Sequence, residues 1–546
     1  MERNSNDGAA DANTCISGHR PEPLRQRNKV PYCGRVGGDD SDGADGLGGW
    51  GPALAEIGRR KAVALGMGGE ARLVRQAQRG RLNARQRLAA LFDPGTFYEI
   101  GALVGGTEDP PVPADAFVAG SGRIDGRPAL AGAEDVTVLG GSIGTGAADK
   151  RYRLTQLARQ ERVPLVMMLE GAGHRVTEGA TGRRPGDLGG LVELSGLVPM
   201  VCLVLGASAG HGALTAPLCD FVVMTETASI FSAGPPLVRS ATGEVITKED
   251  LGGPDVAVTT SGVVHNVVAD DRAAIALARR YLSYFPLNVA EPPPRRLDGP
   301  DAGPRRVDEL LELIPPDPRR PYAIRPVLEA IVDDGELLEV QPDFGRSIVT
   351  TLAHLGGHAV AVVANDPSVL AGAIDSDAAD KVAHFLQVAG VFGLPCVFLA
   401  DNPGVLAGSA AERAGILRHA ARMYAVQHRL TVPKLHVTLR KAFGFGSSIM
   451  AMNPFDGQTL TLAFPSITLG ALPASSTASK IEDPEERARV AAEQAKSSIT
   501  GGARLSYDDV IDPRELRNAL LVGLALSEGR EWAGVNRPPQ PGGILP

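Results

Sequence analysis

Long hydrophobic runs are missing from this chain. The longest, LVPMVCLVLGA at residues 197–207, is about half the length of a membrane span and is interrupted by Pro199. The stretch MERNSNDGAADAN has no apolar core, so a secretory signal is not expected. Cysteine is scarce: Cys15, Cys33, Cys202, Cys219 and Cys396 form no CxxC pair, which excludes a zinc ribbon, and an odd, scattered set argues against a disulfide framework. That usage points to a reducing, cytoplasmic compartment. Charge of one sign is not in large excess, with 55 Lys and Arg against 63 Asp and Glu, a net charge of −8 and no basic stripe, so a nucleic-acid partner is not expected. No GxGxxG opens a helix after a first strand and no GxxxxGK[ST] occurs, which excludes dinucleotide and P-loop readings. GHGALTAPL is not a GxSxG elbow, so a serine hydrolase lacks its nucleophile turn. His174, His211 and His265 have no metal-ligand spacing and are read as structural, so no metal is expected.

Aromatic residues are only 4%, while glycine (66) and proline (41) are plentiful, a balance that suits tight turns and sites built from backbone. With 546 residues the chain exceeds what one core holds, roughly 250–300 residues. The sequence also repeats itself. Ala147-Ala148-Asp149-Lys150 recurs as Ala378-Ala379-Asp380-Lys381, 231 positions later. At the same shift GRPALAGAEDVTVLGGS (126–142) falls on GHAVAVVANDPSVLAGA (357–373), and VPLVMMLEGAG (163–173) on LPCVFLADNPG (394–404). A three-residue slip then brings VPMVCLVLGASAGHG (198–212) onto VPKLHVTLRKAFGFG (432–446), and LFDPGTFYEI (91–100) resembles IVDDGELLEV (331–340) at a shift of 240. Loops change length while elements keep their order, as expected of two copies of one domain.

Within each copy, short apolar runs such as PALAGA and VPLVMMLE read as strands buried on both faces. Between them, KRYRLTQLARQER (150–162) places Leu154, Leu157 and Ala158 on one helical face. Alternating strand and helix predicts an α/β fold with a mainly parallel sheet. The join NVAEPPPRRLDGPDAGPRR (288–306) is rich in proline and charge. The expected organisation is a disordered polar leader at 1–50, a first domain at 51–295, a linker at 296–304 and a second domain at 305–546.

The chemistry is expected where both copies end a strand in glycines. The first copy offers Glu170-Gly171-Ala172-Gly173 and Ala209-Gly210-His211-Gly212; the second offers Asp401-Asn402-Pro403-Gly404 and Gly444-Phe445-Gly446. Glycine lets backbone N–H groups converge on a ligand oxygen, and two donors from adjacent strand-to-helix turns make an oxyanion hole.

These stretches, with LNARQRLAALFDPGTFYEIG, GPPLVRSATGEVITKEDLGG, GILRHAARMYA and YDDVIDPRELRNAL, resemble the carboxyltransferase (β) subunit of biotin-dependent acyl-CoA carboxylases of the propionyl-CoA and methylcrotonoyl-CoA type, over about residues 82–546. The resemblance implies a tandem of two crotonase-like (ClpP/crotonase) domains. It implies an enzyme that moves CO2 from carboxybiotin to the α carbon, or vinylogous position, of an acyl-CoA through an enolate. One backbone hole holds the enolate oxygen and a second holds the biotin ureido oxygen, so the reaction requires no side-chain base. By this resemblance Ala172, Gly173, Gly210 and His211 bind acyl-CoA through their N–H groups, and Gly444, Phe445 and Gly446 bind biotin. Ser448 falls where such enzymes set acyl specificity, and a small neutral residue there implies an acyl chain larger than acetyl. Sites in the family form between subunits, which implies a homo-oligomer, with a hexamer expected. No Ala-Met-Lys-Met biotinylation motif and no ATP-grasp loop occur, so a biotin carboxylase and a biotin carrier are the implied partners. The chain departs from the family at His211 and Phe445, where glycine is usual, at Asn402, and at LGALPASS (469–476). Two alternatives remain: a carboxyacyl-CoA decarboxylase subunit, and a non-catalytic scaffold subunit of a carboxylase complex.

Overall fold

The protein is described here as a computed structural model covering residues 48–176, 186–296, 299, 301–471, 481, 483–530 and 543–545. Nearly all of the expected leader and most of LGALPASS lie outside the described residues.

Two sheets carry the fold. The first contains β1 (Tyr98–Ile100), β2 (Phe117–Ile124), β3 (Arg127–Glu134), β4 (Leu165–Leu169) and β5 (Met200–Val204). A short strand β6 (Ala207–Ala209) follows, then β7 (Phe221–Thr225), β8 (Ser229–Phe231) and β9 (Asn266–Val268). Spatial order is β1-β2-β3-β4-β5-β7-β9, with β6 and β8 paired separately. In the second copy β10 (Leu337–Val340), β11 (Ile348–Leu355), β12 (His358–Asn365), β13 (Cys396–Asn402) and β14 (Lys434–Phe443) take the first five places. β15 (Leu460–Ala463) and β17 (Asp509–Val510) complete the row, and β16 (Thr468–Gly470) pairs with the end of β14.

The expected parallel arrangement holds from β3 and β12 onward, but the first two pairings of each sheet are antiparallel. For β2–β3 and β11–β12 the reason lies in the turns. Asp125-Gly126 and Gly356-Gly357 are two-residue links with every φ between 50° and 77°, the left-handed pair of a type I′ hairpin, and a link this short permits only an antiparallel return.

The duplication extends to individual hydrogen bonds. Lys150 Nζ donates to the carbonyls of Ala114 and Phe117, and Lys381 Nζ to those of Gln341 and Phe344. Thr137 and Ser368 each donate their hydroxyl to the preceding aspartate, Asp135 or Asp366. The long helices Thr145–Glu161 and Ser376–Val391 correspond, yet their first turns are capped differently. Asp375 caps its own helix by accepting from Ala378 N, whereas Gly144 has no side chain and the equivalent donor, Ala147 N, reaches Asp115 Oδ2 at 2.7 Å.

Each copy has its own apolar cluster, one around Leu154, Met200 and Val222 and the other around Leu328, Val437 and Leu520. A third runs between them, joining Val166, Phe221 and Phe285 to Leu352, Phe385 and Phe392. The rings of Phe285 and Phe392 meet edge to face at 5.7 Å across this boundary. Residues Gly43–Pro546 accordingly form one compact unit. The stretch between the copies is pinned to the second copy: Arg296 N donates to Gly357 O, and Arg517 Nη2 donates to Gly303 O.

Asp220, at the start of β7, is buried at this boundary and accepts from Met200 N at 2.7 Å. Burial pushes its carboxyl up from 3.8 to about 7. Between those values the folded chain binds a proton that the unfolded chain has lost, so stability falls as pH rises through that window, and the cost is fully present above about pH 7. Asp220→Asn keeps an acceptor without the charge. It is expected to raise the unfolding midpoint above pH 7, by a few kcal/mol at most since a tenfold change in proton affinity is worth about 1.4 kcal/mol, and to have little effect near pH 4. Thermal melts across that range check this.

Candidate active site

In each copy the two glycine-bearing turns lie against one another. A Cβ built on Gly173 would stand 2.8 Å from Ala209 O, and one on Gly446 would stand 2.8 Å from Gly404 Cα. Ala209 N donates to Gly171 O at 3.1 Å, tying the first pair. Gly210 has φ +59° and Gly444 φ +55°, so the strand-to-helix corner itself demands glycine at these positions. His211 and Phe445, one residue later, are not in the left-handed region, so side chains are tolerated where the family usually has glycine.

The donors divide unevenly. Ala172 N–H is committed to Gly140 O at 3.1 Å, which removes it from the expected set of acyl-CoA donors. Gly210 shapes the corner, and its N–H and that of His211 both open the helix Gly210–Ala213 without an intrahelical acceptor. Gly173 N–H has no partner among the described residues. In the second copy Pro403 has no N–H, and Gly404 N–H is taken by Asn402 Oδ1 at 3.0 Å. That leaves Phe445 and Gly446 at the start of the helix Gly444–Ile449. Phe445 is half-exposed and packs against the Tyr424 ring at 5.3 Å; Ser448 lies part-buried in the same short helix.

Buried charge backs the first pair of turns. Glu134, ending β3, accepts from Glu170 N at 2.8 Å. Its other oxygen stands 2.9 Å from where a Gly212 Cβ would be. Burial raises the Glu134 carboxyl, an effect only partly offset by Arg151 at 3.2 Å. Glu170 is held by Arg81 at 2.9 Å and Arg87 at 2.7 Å. Arg151 is the hub: it reaches Glu134, donates to Asp187 Oδ2 at 2.6 Å and donates to Thr215 Oγ1 at 2.6 Å. Asp187, first residue of the helix Asp187–Leu194, accepts from His211 Nε2 at 2.6 Å. Burial alone would raise the Asp187 carboxyl, but the His211 hydrogen bond and the Arg151 guanidinium outweigh it and hold the carboxyl well below the usual range.

The second copy places an amide at the position of Glu134 and keeps a carboxylate, Asp401, at that of Glu170. Asn365, equivalent to Glu134, accepts from Asp401 N at 3.1 Å and from Asn402 Nδ2 at 3.2 Å. Asp401 pairs with Arg440 at 2.7 Å, both fully buried, and the guanidinium lies 4.5 Å from the Tyr322 ring centroid. The two holes thus share a backbone plan on different electrostatic floors.

Two of the histidines without metal-ligand spacing come together, the His174 and His211 rings lying 6.3 Å apart, and the His265 ring lies 5.1 Å from that of His384. Among the described residues no three His, Cys, Asp or Glu side chains gather to hold a metal. No helix among them is long and apolar enough to cross a membrane. Asp187, Arg151, Glu134 and Asn365 were not singled out by sequence reasoning. The usable signal was an acidic residue ending an apolar run, as in PALAGAE and VPLVMMLE; Asp187 carried none.

Residues 75–533 match the family described as carboxyl transferase domain. The chain is 33% identical over 503 residues to the propionyl-CoA carboxylase carboxyltransferase subunit of Haloferax mediterranei, covering 87% of this chain and 96% of the relative. It is 35% identical over 500 residues to the methylmalonyl-CoA decarboxylase subunit alpha of Veillonella parvula, covering 88% and 96%. The transcarboxylase 12S crystal structure, described as a hexamer assembly with hydrolysed methylmalonyl-coenzyme A bound, superimposes with a TM-score of 0.83 at 33% identity, over 90% of this chain and 98% of that one. The chain belongs to the carboxyl transferase domain family and is a crotonase-like, biotin-dependent acyl-CoA carboxyltransferase.

Proposed function

We propose that the first copy (51–295) binds acyl-CoA and the second (305–546) binds biotin, each through one backbone hole. The observation that carries this reading is the recurrence of one two-turn cradle at matching places in both copies. In the first, Gly173 and His211 N–H groups receive the thioester oxygen and stabilise it as charge develops there. In the second, Phe445 and Gly446 N–H groups receive the ureido oxygen; the absence of a Cβ on Gly446 lets that helix start lie against the Asn402–Gly404 turn. Biotin, when delivered on a carrier protein, supplies the carboxyl group.

The relatives act on propionyl-CoA and methylmalonyl-CoA by name, and with Ser448 at the specificity position we assign an acyl chain larger than acetyl. The partners are a biotin carboxylase and a biotin carrier, and the active form is a homo-hexamer like that named for transcarboxylase 12S. A decarboxylase subunit stands among the relatives, so direction is part of the test. Reconstituted with a biotin carboxylase and a biotinylated carrier, the chain is expected to fix labelled bicarbonate into propionyl-CoA faster than into acetyl-CoA. Release of CO2 from methylmalonyl-CoA with no fixation would reverse the direction. Failure of both, with the oligomer intact by light scattering, would leave a scaffold subunit.

A further inference from the structure

We propose that the imidazole of His211 is a general base that enolises bound acyl-CoA without biotin, a side-chain activity added to the backbone hole. The inference rests on the first copy being the acyl-CoA site.

Three features lead there. First, His211 supplies both a backbone N–H at the start of the helix Gly210–Ala213 and a side chain about one-third exposed. A thioester oxygen held by that N–H brings the acyl α carbon beside the same residue's ring. Second, the ring's outer nitrogen is already used: Nε2 lies 2.6 Å from Asp187 Oδ1. Asp187 is buried, paired with Arg151 and held ionised, and a carboxylate only accepts, so Nε2 must carry the proton. In its neutral form the ring then carries its lone pair on Nδ1, the nitrogen nearer the backbone, for which no partner occurs among the described residues. Third, the carboxylate is itself anchored, since Arg151 also grips Glu134 beneath the same turns. An acid-held imidazole with one free basic nitrogen is the arrangement that general-base catalysis requires. The equivalent residue of the second copy is Phe445, which has no such group.

The step balances within the site. The Cα–H bond breaks, its proton moves to His211 Nδ1, and the electron pair moves onto the thioester oxygen held by the Gly173 and His211 N–H groups. The resulting imidazolium is stabilised by Asp187, and returning the proton restores the substrate. In D2O the returned isotope is deuterium.

The experiment is deuterium uptake into propionyl-CoA in D2O by the purified full chain with no biotin present, read by mass spectrometry. Uptake above the buffer rate is expected, falling about 10²–10⁴-fold in His211→Ala, which keeps the backbone N–H. Asp187→Asn is expected to lower it at least about tenfold, because an amide no longer enforces the Nε2–H tautomer. Light scattering and propionyl-CoA binding confirm that each variant is assembled. Wild-type uptake at the buffer rate, or undiminished uptake in His211→Ala, overturns the proposal. Carboxyl transfer in the reconstituted complex with no biotin-free uptake refutes this inference alone; uptake with no transfer refutes the functional reading instead.

Discussion

Gly446→Ala is expected to lower kcat for carboxyl transfer by about 10²–10³-fold, the cost of losing one oxyanion donor, while propionyl-CoA still binds the first copy. The backbone at Gly446 is not left-handed, so alanine is not strained by its own conformation. The obstacle is space: the new Cβ would stand 2.5 Å from Asn402 Oδ1, 2.8 Å from Gly404 Cα and 3.0 Å from the Gly404 carbonyl carbon. Asn402 cannot swing away, because its oxygen holds Gly404 N–H, its nitrogen holds Asn365 and it is fully buried. The helix start must therefore retreat and take the Phe445 and Gly446 N–H groups with it. Steady-state kinetics of the reconstituted complex and calorimetric titration with propionyl-CoA separate the two effects. A variant with wild-type kcat would remove this turn from the reaction.

Arg151→Met is expected to destabilise the protein by about 3–5 kcal/mol, the usual result of deleting one partner of a buried ion pair. Methionine fills similar space without charge, so Glu134 and Asp187 stay buried with their counter-charge gone. Thr215 Oγ1 loses its donor as well. Denaturant or thermal midpoints of the assembled protein read the loss. Adding Glu134→Gln and Asp187→Asn removes the stranded charges and is expected to recover much of the stability, while activity stays low because the turns and His211 are no longer held. A loss below about 1 kcal/mol, the range of an exposed pair, would mean that the network does not support the site.

The two catalytic floors differ for a reason that a duplicated sequence conceals. Glu134 and Asn365 occupy one position in two copies, yet one brings a charge that must be paired and the other brings a donor and an acceptor. In the first copy that demand recruits Arg151, then Asp187, then His211. In the second, Asn402 donates to Asn365, and Arg440 pairs with Asp401 while donating to the carbonyls of Pro315, Asp317 and Arg320.

The repeat, the apolar strands and the four glycine turns are local patterns, so the sequence alone determined two copies of an α/β unit and the places where their strands end. The local signal for the hairpin in each sheet lay in the dipeptides Asp125-Gly126 and Gly356-Gly357, which favour positive φ at both residues, but pattern spacing does not carry strand direction. It could not show which N–H groups are free either. Ala172 loses its donor to Gly140 O, 32 positions earlier, and Gly404 loses its donor to the side chain of Asn402 two residues before it, whose orientation is set by its bond to Asn365. Asp187 lies 24 positions before His211 and has no motif of its own. Its role exists only because packing places a buried carboxylate against a ring nitrogen, where desolvation makes the pairing strong and fixes which nitrogen stays free.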